Sequence, residues 1–384
     1  MRFVYISENK IFEYNDKNIT EIPCLRIEKY KETVMKMQKN KEWKTSGTGA
    51  KFMGVNINQA GNYSASLARI TGICCSKGEL MYSVYYEEVG GLYRRNYDPD
   101  DKNEGLIHSS NKICFGAFDY RDGKAVISMG SDMNLMHIGV MDISSGSYTE
   151  YTDGDTIEEN PTWSADGKGI YFSTAGYARS SGGIISAVGP RSIAYLEPEK
   201  SQMDEIAADN KYDYLYPKED SKGNLYYIRQ NYRDGESDKS LTPGDILLFP
   251  YRLLKGVLGF LDFFTTSFGG ESLKSGGNSS SMKSKQRSER EMFIDGNRIN
   301  AEKLQKLNEA RGEKYAGIMP LSRVLIKRSP DGNETVIKRG VLSYCLIDDD
   351  TVIISNGNHI FSILPDGNQE HIAKAKLAVN ICTI

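Results

Sequence analysis

One hairpin pattern recurs along this chain at nearly constant spacing, and it constrains the fold more than any other feature. Residues 161–173 read PTWSADGKGIYFS. An apolar approach, an Asp-Gly turn and an alternating strand make a β-hairpin signal. Related turns occur in CCSKGELMYS around Gly78, DYRDGKAVIS around Gly123 and KEDSKGNLYYI around Gly223, so the turn glycines are spaced by 45, 44 and 56 residues. A period of about 40–45 residues is that of propeller blades, each a small four-stranded sheet.

A second set of hairpins interleaves with the first: KIFEYNDKNITEIP, GLYRRNYDPDDKNEGLIHS, IGVMDISSGSYTEYT, SIAYLEPEKSQMDEIA, VLIKRSPDGNETVIK and HIFSILPDGNQEHIAK. Each reads as a third strand, a tight turn and a fourth strand, with alternating polarity on the pleat. The C-terminal KLAVNICTI is a strand with no hairpin partner after it, while the N-terminal RFVYIS and the hairpin behind it lack a first strand. Joining the two ends completes a sixth blade and removes exposed sheet edges. The expected fold is therefore all-β: a six-bladed β-propeller closed by pairing of the N- and C-terminal strands. The other blades fall near 66–108, 110–152, 157–207, 210–339 and 340–374. Without the excursions 24–65 and 232–320, about 42 residues remain per blade.

The stretch Trp163 to Ser173, WSADGKGIYFS, resembles the WD40-like (PD40) repeat of the TolB-type propellers, whose signature is a Trp-Ser-x-Asp-Gly-Lys turn followed by a strand. YRDGKAVIS and the other turns are diluted copies. The resemblance covers the ring but neither long excursion, and it implies a propeller that binds other proteins.

Strand direction alternates within a blade, so second-to-third turns and links between blades share one face of the ring. The excursions 24–65, 174–190 and 232–320 all belong to that group, which predicts one bare face and one decorated face. Loops on a rigid scaffold are where binding is usually placed. Trp43, Lys44, Phe52, Tyr177 and Arg179 are candidate contacts there. The first excursion opens with an amphipathic helix carrying Ile27, Tyr30, Val34 and Met37 on one stripe, expected to pack on the ring. The glycines of WKTSGTGAKFMG follow a helix rather than a strand and match no nucleotide-binding spacing. In the large excursion, ILLFPYRLLKGVLGFLDFF (246–264) places Arg252, Lys255 and Asp262 on one side of a helix. Leu247, Leu248, Phe249, Leu253, Leu254, Val257, Leu258, Phe260, Leu261 and Phe264 supply its apolar surface. Three charges in so short a run argue against a transmembrane segment. The helix packs on the ring, docks into a partner protein, or lies in a membrane interface. A Gly/Ser/Lys-rich linker over 269–290 reads as disordered, and a second helix is expected at about 298–311.

A net charge of −3 offers no basic footprint for nucleic acid. The six cysteines show no zinc or CxxC spacing, which predicts reduced, buried thiols. No cofactor or metal motif is present, and no GxSxG elbow. His137 lies in the alternating strand LMHIGVMD and reads as structural. In DGDTIEE, Asp155, Glu158 and Glu159 lie on a link of the decorated face, where a carboxylate pair would suit a lyase or glycosidase. The N-terminus has no apolar signal-peptide core, so a cytoplasmic protein is expected. Taken together, the residues predict a non-enzymatic scaffold with an unidentified protein partner, with a peripheral membrane adaptor and a propeller lyase or glycosidase as alternatives.

Overall fold

The computed structural model describes residues 1–33, 36, 68–76, 78–86, 89–98, 101, 103–179, 185–200, 202–232 and 291–384. Six antiparallel blades form a ring. The seam blade runs, from the axis outward, Val379–Thr383, Arg2–Ser7, Lys10–Asn15 and Asn18–Ile22. Five further blades follow in chain order, with inner strands Arg69–Ser76, Cys114–Arg121, Thr156–Trp163, Tyr212–Glu219 and Ser343–Leu346.

Closure follows the reading of the two ends. Arg2–Ser7 pairs along its whole length with Lys10–Asn15 and, on its other edge, with Val379–Thr383 through Phe3↔Thr383, Val4↔Cys382 and Ile6↔Val379. Because side chains alternate across a strand, Val4 and Ile6 join Tyr82 and Val84 of the first blade, whereas Phe3 and Tyr5 join Ile353 and Ile360 of the fifth. The second blade behaves alike: Ile127 packs with Leu92 and Phe115, and its neighbour Val126 with Ile170 and Phe172. A strand flanked by blades on both faces reads as a continuous apolar run. Outer strands such as Tyr148–Glu150 face solvent.

Turn chemistry matches. Asp122 and Gly123 have φ of 46° and 85°, the paired positive values of a type I′ hairpin turn. The Asp166 carboxylate caps its own turn, accepting from Lys168 N (3.0 Å) and Ser164 Oγ (2.7 Å). Inner strands are also cross-tied: Asp119 accepts from Trp163 N (3.0 Å), and Glu219 from Ala165 N (2.7 Å).

Since every blade is a simple meander, the chain between Ile22 and Arg69, between Arg179 and Ser192, and between Asn231 and Val324 leaves from one face. The longest turn on the other face is 97–103. Residues 25–33 are helical, with Ile27 buried and the Tyr30 ring 5.3 Å from that of Tyr86. The stretch 174–190, read from sequence as a loop, instead prolongs a blade strand to Arg179 and pairs it with Ile185–Val188. The helix in the large excursion spans Ala301–Ala310, capped by Asn300 Oδ1 accepting from Lys303 N (2.9 Å). Ahead of it stands a hairpin, Glu291–Ile294 with Asn297–Asn300. Met292, Ile294, Ile299 and Ala301 pack on Leu342 and Leu377, in the links flanking the fifth blade.

Candidate functional site on the decorated face

The inner strands begin at the decorated face, and there a buried ionic network gathers side chains from two blades and the excursion. It starts with a bulge. The ladder of Tyr212–Glu219 shifts register between Leu215 and Lys218, and Tyr216 takes φ +56°. A bulge re-aims the side chain that it carries. Here the Tyr216 hydroxyl donates to Asp295 Oδ1 (2.8 Å), and the Arg323 guanidinium lies 6.0 Å from the ring centre. Asp295 and Gly296, with φ of 46° and 81°, form the tip of the excursion hairpin.

Arg323 closes the network. Its side chain is 1% exposed and pairs with Asp295 Oδ2 at 2.7 Å. It also donates to the carbonyls of Val341 (2.7 Å) and Leu342 (3.0 Å), and to the Gln230 amide oxygen. Gln230 in turn donates to Asp213 Oδ2 (3.3 Å). Asp213 accepts from Arg191 N (2.9 Å), while Arg191 Nε donates to Glu159 Oε2 (2.8 Å). Burial works against the charge of Arg191, yet Glu159, Asp213 and Asp295 outweigh it and raise its pKa above the ordinary value. Burial likewise raises the pKa of Asp213, against the pull of Arg191.

The three carboxylates singled out in DGDTIEE do not converge. Asp155 takes the Arg179 guanidinium at 2.6 Å on the surface, and Glu159 belongs to the network through Arg191. Glu158 turns into the sheet, accepting from Thr152 Oγ1, Ile138 N (3.2 Å) and Thr156 Oγ1 (3.3 Å). Burial raises its pKa even against those bonds and the nearby His137. The His137 ring lies beside it, its Nδ1 buried and without a hydrogen-bond partner among the described residues. A two-carboxylate arrangement from these residues is corrected accordingly: alternation along Thr156–Trp163 sends Glu158 and Glu159 to opposite faces. The Tyr177 hydroxyl donates to Asn134 O, tying adjacent blades at this face. Trp43, Lys44, Phe52 and the whole apolar set from Leu247 to Phe264 lie outside the described residues.

Sequence reasoning missed Tyr216, Gln230, Asp295 and Arg323. The hairpin carrying Asp295 had a readable signal, Asp-Gly between alternating residues in MFIDGNRI. Arg323 had none.

The inner strands have a different chemistry at the opposite face of the ring. Lys218 sits among Cys345, Asp119, Cys382 and Cys74; burial opposes its charge, but those neighbours raise its pKa overall. Cys75 Sγ and Cys382 Sγ, on the inner strands of the first and seam blades, are 2.6 Å apart. Among the described residues, no cluster of three or more His, Cys, Asp or Glu side chains has the arrangement of a metal site, and no helix is long and apolar enough to cross a membrane.

The sequence matches no family model and no curated protein. Among solved structures, the chain is similar to TolB from Acinetobacter baumannii, with TM-score 0.49 and 8% identity, covering 99% of this chain and 65% of that one. The tricorn protease gives TM-score 0.45 at 13% identity, covering 99% of this chain and 34% of the protease. A putative TolB from Agrobacterium tumefaciens gives 0.38 at 15% identity, covering 62% and 68%. The chain thus spans about a third of the protease and just under two thirds of the first TolB chain.

Proposed function

We propose that this protein is a non-enzymatic scaffold whose decorated face recruits a partner protein. The supporting observation is the asymmetry of the ring: short turns on one face, and every long excursion on the other. A rigid ring that collects its variable segments on one side offers a fixed platform with a changeable surface. The network around Arg323 fits this reading, because it anchors the returning limb of the large excursion, Glu291 to Arg323, to that face. Residues 233–290, with the apolar surface from Leu247 to Phe264, are then tethered at both ends to one blade.

The test replaces 233–290 by a short Gly-Ser linker, which keeps the anchoring hairpin. Proteins co-purifying with the full and shortened chains from the native host are then compared by quantitative mass spectrometry. A partner retained by the full chain and lost from the shortened one supports the proposal; an identical set in both overturns it for this segment. The basic residues Lys274, Lys283, Lys285, Arg287 and Arg290 beside the amphipathic run favour a membrane-surface adaptor as the second reading. Flotation with anionic liposomes, lost on changing Leu254 and Leu261 to Asp, would select it; absence of flotation by the full chain removes it.

A further inference from the structure

Four of the six cysteines are buried: Cys24, Cys74, Cys114 and Cys345. The two that are partly exposed, Cys75 and Cys382, are the two whose sulfur atoms face each other at 2.6 Å. They are 307 residues apart in sequence and meet because the ring closes: Cys382 pairs with Val4 in the seam ladder, and Cys75 lies near the end of the first blade's inner strand. Cys74 is no competitor. It points the other way, into the cluster of Met81, Leu92 and Phe115, with its sulfur 3.8 Å from Asp119 Oδ1. A disulfide needs its sulfurs at about 2.05 Å, so half an ångström of movement separates this thiol pair from a bond.

We propose that Cys75 and Cys382 are an oxidative modification site, at which a peroxide joins the first blade covalently to the C-terminal strand. The thiolate is the attacking species. One sulfur of the pair takes one peroxide oxygen, the O–O bond breaks, and a sulfenic acid and water form. The other sulfur, already 2.6 Å away, then displaces hydroxide from the sulfenic sulfur. The S–S bond forms, the S–O bond breaks, and hydroxide leaves as water with the thiol proton. Two thiols lose two electrons, and one peroxide becomes two waters. The product fastens a strand otherwise held by a short ladder and side-chain contacts.

The test uses the full chain, reduced, desalted and treated with equimolar hydrogen peroxide. Remaining thiols are alkylated under denaturing conditions and the protein is mapped without reductant. The expected result is a Cys75–Cys382 cross-linked peptide pair, with Cys24, Cys74, Cys114 and Cys345 alkylated. The unfolding midpoint should rise by about 5 °C and fall back with dithiothreitol. Cys382→Ser and Cys75→Ser should each abolish the rise, and Cys74→Ser should leave the cross-link intact. Alkylation of Cys75 and Cys382 after oxidation, a cross-link to another cysteine, or over-oxidation without a link would overturn the proposal. The wild-type map decides this even if a variant fails to fold.

Discussion

In the seam blade and in the fourth blade, strands that lie side by side come from distant parts of the chain, yet the two are held by different means. Val379–Thr383 joins Arg2–Ser7 through a bulged ladder and apolar side chains that alternate between neighbouring blades. Leu225–Asn231 meets Val324–Arg328 through a regular ladder, and the re-entry point is fixed by Arg323 and its buried partners. Loop-closure entropy grows slowly with length, so the long excursion is a modest thermodynamic burden on its blade. What it needs is a means of setting the direction of return. A guanidinium reaching two backbone carbonyls, an amide and a carboxylate supplies that direction. At the seam both faces of the pleat are covered by apolar clusters, as they also are in the fourth blade, so the guanidinium is what sets the fourth blade apart.

This contrast can be broken most forcefully at Arg323. Arg323→Ala leaves Asp295 and two carbonyls buried without their partner, and should cost about 3–5 kcal/mol in urea unfolding. Arg323→Lys should recover a minor part, since an ammonium cannot reproduce the planar fork. A loss under about 1 kcal/mol for the alanine variant would show that the fourth blade, too, is held by its ladder and core. At the seam, Ile381→Ala removes a buried side chain from the cluster of Phe3, Tyr5 and Ile353 and should cost about 2–4 kcal/mol by the same measurement. An effect as small as that of a surface substitution would mean that the apolar seam is not what closes the ring. A blade built from contiguous sequence sharpens the scale. Gly123→Ala adds a methyl into open space at φ +85°, so backbone strain alone should give a loss of about 1 kcal/mol. Finally, Arg179→Ala breaks the exposed pair with Asp155 and should leave the unfolding midpoint unchanged.

The ring was legible in the sequence because each blade repeats a local signal. Asp-Gly turns, alternation, and a terminal strand lacking its partner are all readable within a dozen residues. The network on the decorated face was not. Arg323 in LSRVLIK looks like any solvent-facing arginine, and its burial depends on Gln230, 93 positions earlier, reaching it across the blade. Tyr216 was hidden because a bulge shifts its strand off the two-residue period. The Asp155, Glu158 and Glu159 carboxylates part for the complementary reason: neighbours on a strand point to opposite faces, which closeness in DGDTIEE does not reveal. Cys75 and Cys382 could be matched only once the seam register was known.

Phe3–Ser7 has no solvent side, and that fixes the phase of the whole assembly. Sliding it by one position would hand Phe3 and Tyr5 to the surface shaped for Val4 and Ile6, two rings into the space of two smaller side chains. The circle therefore has a single way to shut, as a key with teeth on both edges enters its lock in one orientation.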